Sequence, residues 1–130
     1  MSKKIMVIDD QPGVRRLVCE ALRQQGYTLY LASEGREALG KITSEVPDLV
    51  ILDIKMPGMS GVEFLKELRR ITVNLPVIVI TAYNELELEE QVTSFGARHV
   101  LYKPFDIRQL CQLVQAALYQ AQYQLQVAEA

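Results

Sequence analysis

The feature that most constrains the fold of this chain is the regular alternation of short apolar runs with helical patterns. The apolar runs occupy residues 4–8, 27–32, 49–52, 76–80 and 100–102. Between these runs and after the last one, apolar residues recur three and four positions apart, which is the spacing of an amphipathic helix. This strict alternation predicts an α/β fold with a doubly wound parallel sheet and right-handed crossovers. Five strands favour the order 2-1-3-4-5.

Capping and breaking residues predict where the helices begin and end. Pro12 suits the first turn of the first helix, and Gly26 suits its end. Ser33 is the predicted cap of the second helix. Three pairs have the spacing of a capping box at a helix start: Ser60 with Glu63, Asn84 with Glu87, and Asp106 with Gln109. The predicted organisation is one domain over residues 1–118 with a helical extension over residues 119–130.

Composition and charge exclude several classes of protein. The 130 residues suffice for one domain, and 49% of them are hydrophobic, which is ordinary for a globular chain. The net charge of −2 leaves no basic surplus for direct nucleic-acid binding. The apolar runs are too short to cross a membrane or to form a signal peptide. We therefore expect a cytoplasmic protein that binds neither nucleic acid nor membrane.

Polar residues follow four of the predicted strands at the point where each strand ends. Asp9 and Asp10 follow the first strand, Asp53 the third, Thr81 the fourth and Lys103 the fifth. In open α/β sheets, ligands bind at the carboxyl ends of the strands, beside the point where the strand order reverses. With the order 2-1-3-4-5 that point lies between strands 1 and 3. We therefore expect these side chains to line one crevice.

The chemistry of this set predicts a metal-assisted phosphoryl acceptor. Three neighbouring carboxylates repel one another, and with one lysine they leave two negative charges, which a single divalent cation balances. Oxygen ligands without histidine or cysteine favour Mg²⁺. A metal can bridge a carboxylate to a phosphoryl group, while Lys103 and Thr81 hold the remaining phosphoryl oxygens. Asp53 is then the predicted nucleophile and would form an acyl phosphate.

This set of residues resembles the signature of the receiver domain of two-component response regulators. The matching positions are Asp9-Asp10, Asp53, Thr81 and Lys103-Pro104, and the resemblance covers residues 4–118. It implies a flavodoxin-like (βα)5 fold and phosphorylation of Asp53 by a histidine kinase or histidine phosphotransferase. It also implies a switch that is not an enzyme and has at most autodephosphorylation activity. The expected output is a downstream protein or a fused output module.

The resemblance also implies roles for individual residues of the site. Asp9, Asp10 and Asp53 would bind Mg²⁺ together with the backbone carbonyl of Lys55. The peptide bond that joins Lys103 to its following proline is expected to be cis. Locally, the segments around the acidic pair and around residues 81–83 are most similar to single-domain regulators of sporulation-type phosphorelays.

The switch that the resemblance implies runs through Thr81 to the surface formed by the fourth helix, the fifth strand and the fifth helix. Three positions before Lys103, receiver domains commonly carry an aromatic residue that turns inward on phosphorylation. Here this position is Val100. His99 and Tyr102 are predicted to face the opposite side of the strand, so neither is expected to replace the aromatic residue. We therefore expect looser coupling between the site and this surface.

Three other interpretations share parts of the pattern. A flavin-binding module has the same fold, but Asp9 and Asp10 would repel a flavin phosphate at the first turn. A haloacid-dehalogenase-like phosphatase also uses an aspartate nucleophile, but its general acid lies two residues later, where this chain has Lys55 after Asp53 or Gln11 after Asp9. A phosphorylation-independent pseudo-receiver, which acts as a protein-interaction module, normally lacks one of the site residues. The sequence favours the phosphoacceptor, with the pseudo-receiver as the alternative.

Two side chains near the predicted site are expected to slow the loss of its phosphoryl group. Lys55 lies two residues after Asp53, and Tyr83 lies two residues after Thr81. Both are long or bulky, and neither offers a carboxylate or amide that would orient an attacking water molecule. We therefore expect slow dephosphorylation.

The last helix is predicted to extend beyond the domain. Its apolar residues recur at spacings of four and three, the rhythm of a heptad: Ile107, Cys111, Val114, Leu118, Ala121, Leu125 and Ala128. From residue 119 onward, glutamine and alanine favour a helix, and no glycine or proline interrupts it. We expect a connector helix and a monomer or weak homodimer; a frayed tail is the alternative.

Overall fold

The strands and helices follow the predicted alternation. The computed structural model describes the backbone of residues 2–129 and the side chains of residues 2–123. The strands are β1 (Lys4–Ile8), β2 (Thr28–Ala32), β3 (Leu49–Asp53), β4 (Val77–Thr81) and β5 (Ala97–Tyr102). The helices are α1 (Pro12–Gln24), α2 (Gly35–Ser44), α3 (Gly61–Ile71), α4 (Leu86–Ser94) and α5 (Ile107–Glu129). Among the described residues, no helix has both the length and the hydropathy that spanning a membrane requires.

The five strands form one parallel sheet in the order β2-β1-β3-β4-β5, which confirms the predicted topology. Every residue of β3 and β4 is buried, as is typical of strands that are covered by helices on both faces. Because β1 lies between β2 and β3, the chain reverses its winding direction there. The carboxyl ends of β1 and β3 therefore border a crevice at one edge of the sheet.

The core divides into two apolar layers, one on each face of the sheet. One layer packs α2, α3 and α4 on alternate strand residues; its helical members include Ala38, Ile42, Phe64, Leu65, Leu68 and Val92. The other layer packs α1 and α5 on the remaining strand residues; its helical members include Val18, Leu22, Leu110, Val114 and Ala117. The two-residue period of the strands thus assigns neighbouring side chains to opposite layers.

Strand β5 begins earlier than predicted. The apolar pattern predicted a strand from residue 100, whereas pairing with β4 begins at Ala97. The register shifts between Val77 and Ile78, which pair with Ala97 and His99, so that Arg98 is an extra residue opposite β4. A bulge of this kind interrupts the alternation of apolar and polar residues, and the sequence pattern therefore concealed the first half of the strand.

Two of the predicted caps are observed. The Ser60 hydroxyl accepts a hydrogen bond from the Glu63 N–H at 3.2 Å, and the Glu63 carboxylate accepts from the Ser60 N–H at 3.5 Å, which completes a capping box on α3. The carboxylate of Asp106 accepts from the N–H of Arg108 at 2.8 Å at the start of α5. These caps satisfy backbone donors that have no partner within the helix.

Two other predicted caps were wrong. Helix α2 has Glu34 as its N-cap with no side-chain hydrogen bond, and the hydroxyl of Ser33 instead contacts Glu37 at 3.2 Å. Helix α4 has Glu85 as its N-cap, also without a side-chain bond, in place of Asn84. Before α4, the Tyr83 N–H donates a hydrogen bond to the hydroxyl of Thr81, two residues earlier. The backbone of Glu85 is still extended, so the helix begins only after this residue.

Gly61 allows α3 to start against the end of β3. Its N–H donates to the Ile54 carbonyl at 2.8 Å, and a Cβ added to it would lie 2.6 Å from the Ile54 Cα. We expect Gly61→Ala to destabilise the fold by about 2 kcal/mol, the cost of forcing an extra methyl into a packed site. Urea denaturation would measure this free energy of unfolding. Gly40→Ala is the control, because a Cβ there meets no atom within 4 Å. Equal effects of the two substitutions would contradict this account.

Helix α5 extends beyond the sheet that it covers. Its buried face ends near Ala117, while the backbone remains helical to Glu129. Tyr119 and Tyr123 are 70% and 56% exposed, and their rings stack with centroids 6.5 Å apart. The side chains of residues 124–130, which include the last two apolar positions of the predicted heptad, lie outside the described residues. The helix therefore extends past the domain boundary that the sequence predicted.

Candidate functional site

The carboxyl ends of β1 and β3 bring three aspartates together. Asp9 and Asp10 directly follow β1, and Asp53 is the last residue of β3. The two strands are paired up to Ile8 and Leu52, so their ends lie side by side. One carboxylate oxygen from each aspartate lies within 4.8 Å of those of the other two. The structure thus places the predicted acidic residues in one crevice.

The crevice residues are unusually buried for polar side chains. Asp9, Asp53 and Thr81 are only 0%, 4% and 1% exposed, whereas Asp10 lies nearer the solvent. Burying a carboxylate is costly unless hydrogen bonds or charges compensate it. Asp9 receives the N–H of Gln11 at 2.9 Å, and Asp53 receives the backbone N–H of Lys55. The fold therefore holds these carboxylates in fixed positions.

Lys103 is the cation of the site. Its ammonium group donates to Asp9 Oδ2 at 3.1 Å and to Asp53 Oδ2 at 3.3 Å. A third bond runs to Gln11 Oε1 at 3.0 Å. The Lys103 N–H also donates to the Thr81 carbonyl at 2.8 Å, which holds the end of β5 beside the end of β4, and the bond to the following proline is cis. The sequence did not predict the contact of Gln11 with Lys103; the position of Gln11 directly after the acidic pair was the available signal.

The electrostatics of the crevice favour the arrival of a cation. Burial and the charge of neighbouring Asp9 raise the pKa of the Asp53 carboxyl, and the ammonium of Lys103 only partly opposes this rise. Three carboxylates facing one ammonium leave excess negative charge. All of the donors are oxygen atoms, which fits a hard divalent cation such as Mg²⁺. A metal among these carboxylates would relieve the repulsion that raises the pKa of Asp53.

A small cavity opens above these residues. Its lining consists of Asp10, Gln11, Asp53, Lys55, Ala82, Tyr83 and Lys103. The Lys55 ammonium lies over the Tyr83 ring, 4.6 Å from its centroid, in a cation–π contact. The two side chains that the sequence singled out as obstacles to water thus touch each other beside Asp53.

Comparison with known families identifies the arrangement. A family model described as the response regulator receiver domain matches residues 5–115, which include every residue of the crevice. The chain belongs to this family. The fold predicted from the sequence and the resemblance to receiver domains are therefore both confirmed.

This receiver matches nearly the whole length of some relatives and only a part of others. It is 44% identical over 110 residues to sporulation initiation phosphotransferase F of Bacillus subtilis, covering 85% of this chain and 89% of that protein. It is 40% identical to regulatory protein AtoC of Escherichia coli, with coverage of 88% of this chain but only 25% of that protein. Among solved structures, chemotaxis protein CheY4 of Vibrio cholerae matches with a TM-score of 0.86 at 31% identity, covering 90% of this chain and 99% of that one.

One prediction about β5 of this receiver was wrong. Val100 pairs with Val79, and Tyr102 pairs with Thr81, so both lie on the same face of the sheet. Residues two apart in a strand share a face, so the expectation that Tyr102 faces away from Val100 was wrong. The Tyr102 hydroxyl donates to the Glu89 carboxylate, and this bond raises the pKa of Tyr102. The aromatic side chain of Tyr102, the residue that pairs with Thr81, therefore connects β5 with α4.

Proposed function

We propose that this receiver accepts a phosphoryl group on Asp53 from the phosphohistidine of a histidine kinase or histidine phosphotransferase. A carboxylate oxygen of Asp53 attacks phosphorus, the phosphorus–nitrogen bond breaks, and the imidazole leaves with the bonding electron pair and takes up a proton. The observation that carries the proposal is that the Asp53 carboxylate lies in one cluster with those of Asp9 and Asp10 and 3.3 Å from the Lys103 ammonium. A nucleophile flanked by a metal site and an ammonium suits an anionic electrophile.

The residues of the crevice divide the work of stabilising the transferred group. Asp9, Asp10 and Asp53, with the backbone carbonyl of Lys55, would hold Mg²⁺, which supplies positive charge to the phosphoryl oxygens. Lys103, whose ammonium lies 3.3 Å from Asp53 Oδ2, would donate an N–H to a phosphoryl oxygen. These groups are arranged before the donor binds, so little reorganisation accompanies the transfer.

The proposed partners follow from this chemistry and from the relatives. The name of the sporulation relative includes a phosphotransferase, which supports a place in a phosphorelay. The AtoC relative, of which this chain covers only 25%, supports an output domain fused to, or contacted by, a receiver. The chain would act in the cytoplasm without direct contact to nucleic acid or membrane. It would serve as a switch with at most autodephosphorylation activity, and not as an enzyme acting on a separate substrate.

Residues 119–130 would form a connector that follows a domain ending at residue 118. The exposed rings of Tyr119 and Tyr123 lie beyond the buried face of α5, so they are available to a second chain or to an output domain. Because alanine occupies two of the last three heptad positions, any coiled coil would be weak. The chain would therefore be a monomer or a weak homodimer.

Loading with beryllofluoride, a non-covalent analogue of the phosphoryl group, tests the function and the switch together. With Mg²⁺ present, we expect amide chemical shifts to change at the crevice and across residues 84–102. The Thr81 hydroxyl would turn toward the analogue and release the Tyr83 N–H, which now donates to it at 3.1 Å. The bond between Tyr102 and Glu89 would transmit the change to α4.

The controls of this experiment separate the alternatives. Tyr102→Phe keeps the ring and removes the hydroxyl, so it should reduce the shift changes in α4 while leaving those at the crevice. No response to beryllofluoride at any Mg²⁺ concentration would favour the pseudo-receiver. A response confined to the crevice would contradict the proposed switch but not the phosphoacceptor.

The contact between Lys55 and Tyr83 should prolong the lifetime of the acyl phosphate. Either Tyr83→Gly or Lys55→Asn opens the mouth of the cavity to water, and Lys55→Asn also adds an amide that orients the water. We expect each to speed dephosphorylation roughly threefold to tenfold. Because the two side chains touch, the double variant should gain less than the product of the single effects. The measurement is the decay of the phosphorylated mass after removal of the donor.

The matched control for this prediction is Lys66→Asn. Lys66 forms a similar contact with the ring of Phe95, at 5.7 Å from its centroid, away from the crevice. Its replacement should leave the decay rate unchanged. Wild-type lifetimes in both Tyr83→Gly and Lys55→Asn would refute the shielding.

A further inference from the structure

We infer that Gln11 is a positioning residue that holds the Lys103 ammonium in place for phosphoryl transfer. The inference rests on the proposed function and deepens it by assigning a residue that acts through Lys103. Its basis is the 3.0 Å hydrogen bond from Lys103 Nζ to Gln11 Oε1. No other acceptor of this ammonium among the described contacts is uncharged.

The three acceptors of Lys103 behave differently during the reaction. An ammonium group has three N–H donors, and here they meet Asp9, Asp53 and Gln11. The carboxyl oxygens of Asp53 become uncharged in the acyl phosphate and the negative charge lies on the phosphoryl oxygens, which weakens the bond of Asp53 Oδ2 to the lysine. Asp9 belongs to the acidic group that would face the metal. The amide oxygen of Gln11 does not change charge in either event, so its bond to the lysine persists.

Gln11 is itself held from two sides. Its N–H donates to Asp9 Oδ1 at 2.9 Å, and its carbonyl accepts from the Arg15 N–H at 3.0 Å in the first turn of α1. The residue is the N-cap of α1, yet its side chain makes no capping hydrogen bond. The side chain thus projects into the cavity from a fixed backbone, and its contact with Lys103 is not a by-product of capping.

The hydrogen bonds to Asp9 and Gln11 limit how far the Lys103 ammonium moves during the transfer. As the bond between Asp53 and phosphorus forms, one N–H of Lys103 moves from Asp53 Oδ2 to a phosphoryl oxygen. The bonds to Asp9 and Gln11 keep the ammonium within reach during this exchange, so the lysine need not be ordered again for each transfer. The hydrogen bonds described for Gln11 run to Asp9, Arg15 and Lys103 and not to Asp53, so Gln11 acts through the lysine.

The test replaces Gln11 by methionine, which has similar length and no amide oxygen. We expect Gln11→Met to slow labelling of Asp53 by acetyl phosphate roughly threefold to tenfold at saturating Mg²⁺. In a Lys103→Met background the same substitution should have no further effect, because the group it acts through is gone. Gln24→Met, an exposed position at the end of α1, is the control and should label at the wild-type rate.

A second measurement does not depend on labelling. The ¹⁵N signal of the Lys103 ammonium reports the exchange of its protons with water, and we expect faster exchange in Gln11→Met than in wild type or Gln24→Met. Wild-type exchange in Gln11→Met, or an equal loss of rate with and without Lys103, would overturn the inference. Failure of the wild-type chain to label would instead refute the proposed function, and the exchange measurement would still decide the role of Gln11.

Discussion

Replacing Asp53 by asparagine is expected to abolish phosphoryl labelling by acetyl phosphate and Mg²⁺. The amide that Asp53→Asn introduces is neither a nucleophile nor a charged metal ligand, while its shape preserves the packing at the end of β3. The other two carboxylates would remain in the crevice, but the proposed site assigns them to the metal. Intact mass spectrometry would measure the labelled fraction. The control is Asp106→Asn, because asparagine also caps a helix well and this position lies outside the crevice.

The same variant should be more stable than wild type when the metal is absent. The pKa of Asp53 is raised in the folded chain by burial and by Asp9, so its ionised form opposes folding at neutral pH. This cost is fully present above the folded pKa, declines as the pH falls below it, and is gone below the pKa of the unfolded chain. We expect Asp53→Asn to raise the melting temperature in EDTA, because the amide has no charge that burial and Asp9 oppose. Loss of labelling in a stabilised protein could not be attributed to unfolding.

Replacing Asp10 by alanine should weaken the metal site and slow labelling about 100-fold at limiting Mg²⁺. Asp10 is the most accessible of the three carboxylates, so its loss removes a ligand without leaving a buried cavity. High Mg²⁺ concentrations should restore part of the rate, because the defect lies in binding. Titration of the labelling rate with Mg²⁺ would measure the change in affinity.

The control for Asp10→Ala is Glu87→Ala, which removes one negative charge from the exposed face of α4. Its Mg²⁺ dependence should match that of wild type. An unchanged Mg²⁺ dependence in Asp10→Ala would mean that this carboxylate is not a ligand and that the metal lies elsewhere.

The fold and the crevice were predictable because both follow from position along the chain. The buried strands consist of continuous apolar runs, and the polar residue that ends each run lies at the carboxyl edge of the sheet. The sheet order then brings Asp9, Asp53 and Lys103 together although they are far apart in sequence. A prediction of this kind needs only the period of the pattern and the place where it stops.

Features that depend on the contacts of one side chain with another part of the chain were not predictable. The Arg69 guanidinium donates to the Phe95 carbonyl at 2.7 Å and to the Leu75 carbonyl at 2.8 Å, tying α3 to the end of α4. Nothing in the local pattern around an arginine near the end of a helix indicates these partners. The bond from Lys103 to Gln11 is of the same kind, since it joins residues 92 positions apart. Such contacts arise from packing, which the residue pattern does not specify.

The central claim is that Asp53 carries the phosphoryl group, and the most direct test locates that group chemically. Borohydride reduces an aspartyl phosphate to an alcohol, which converts the aspartate into homoserine and releases phosphate. The protein would be labelled with acetyl phosphate and Mg²⁺, reduced, digested and sequenced by mass spectrometry. We expect homoserine at position 53 and unmodified aspartate at positions 9 and 10. Homoserine at either of those two positions, with residue 53 intact, would contradict the claim.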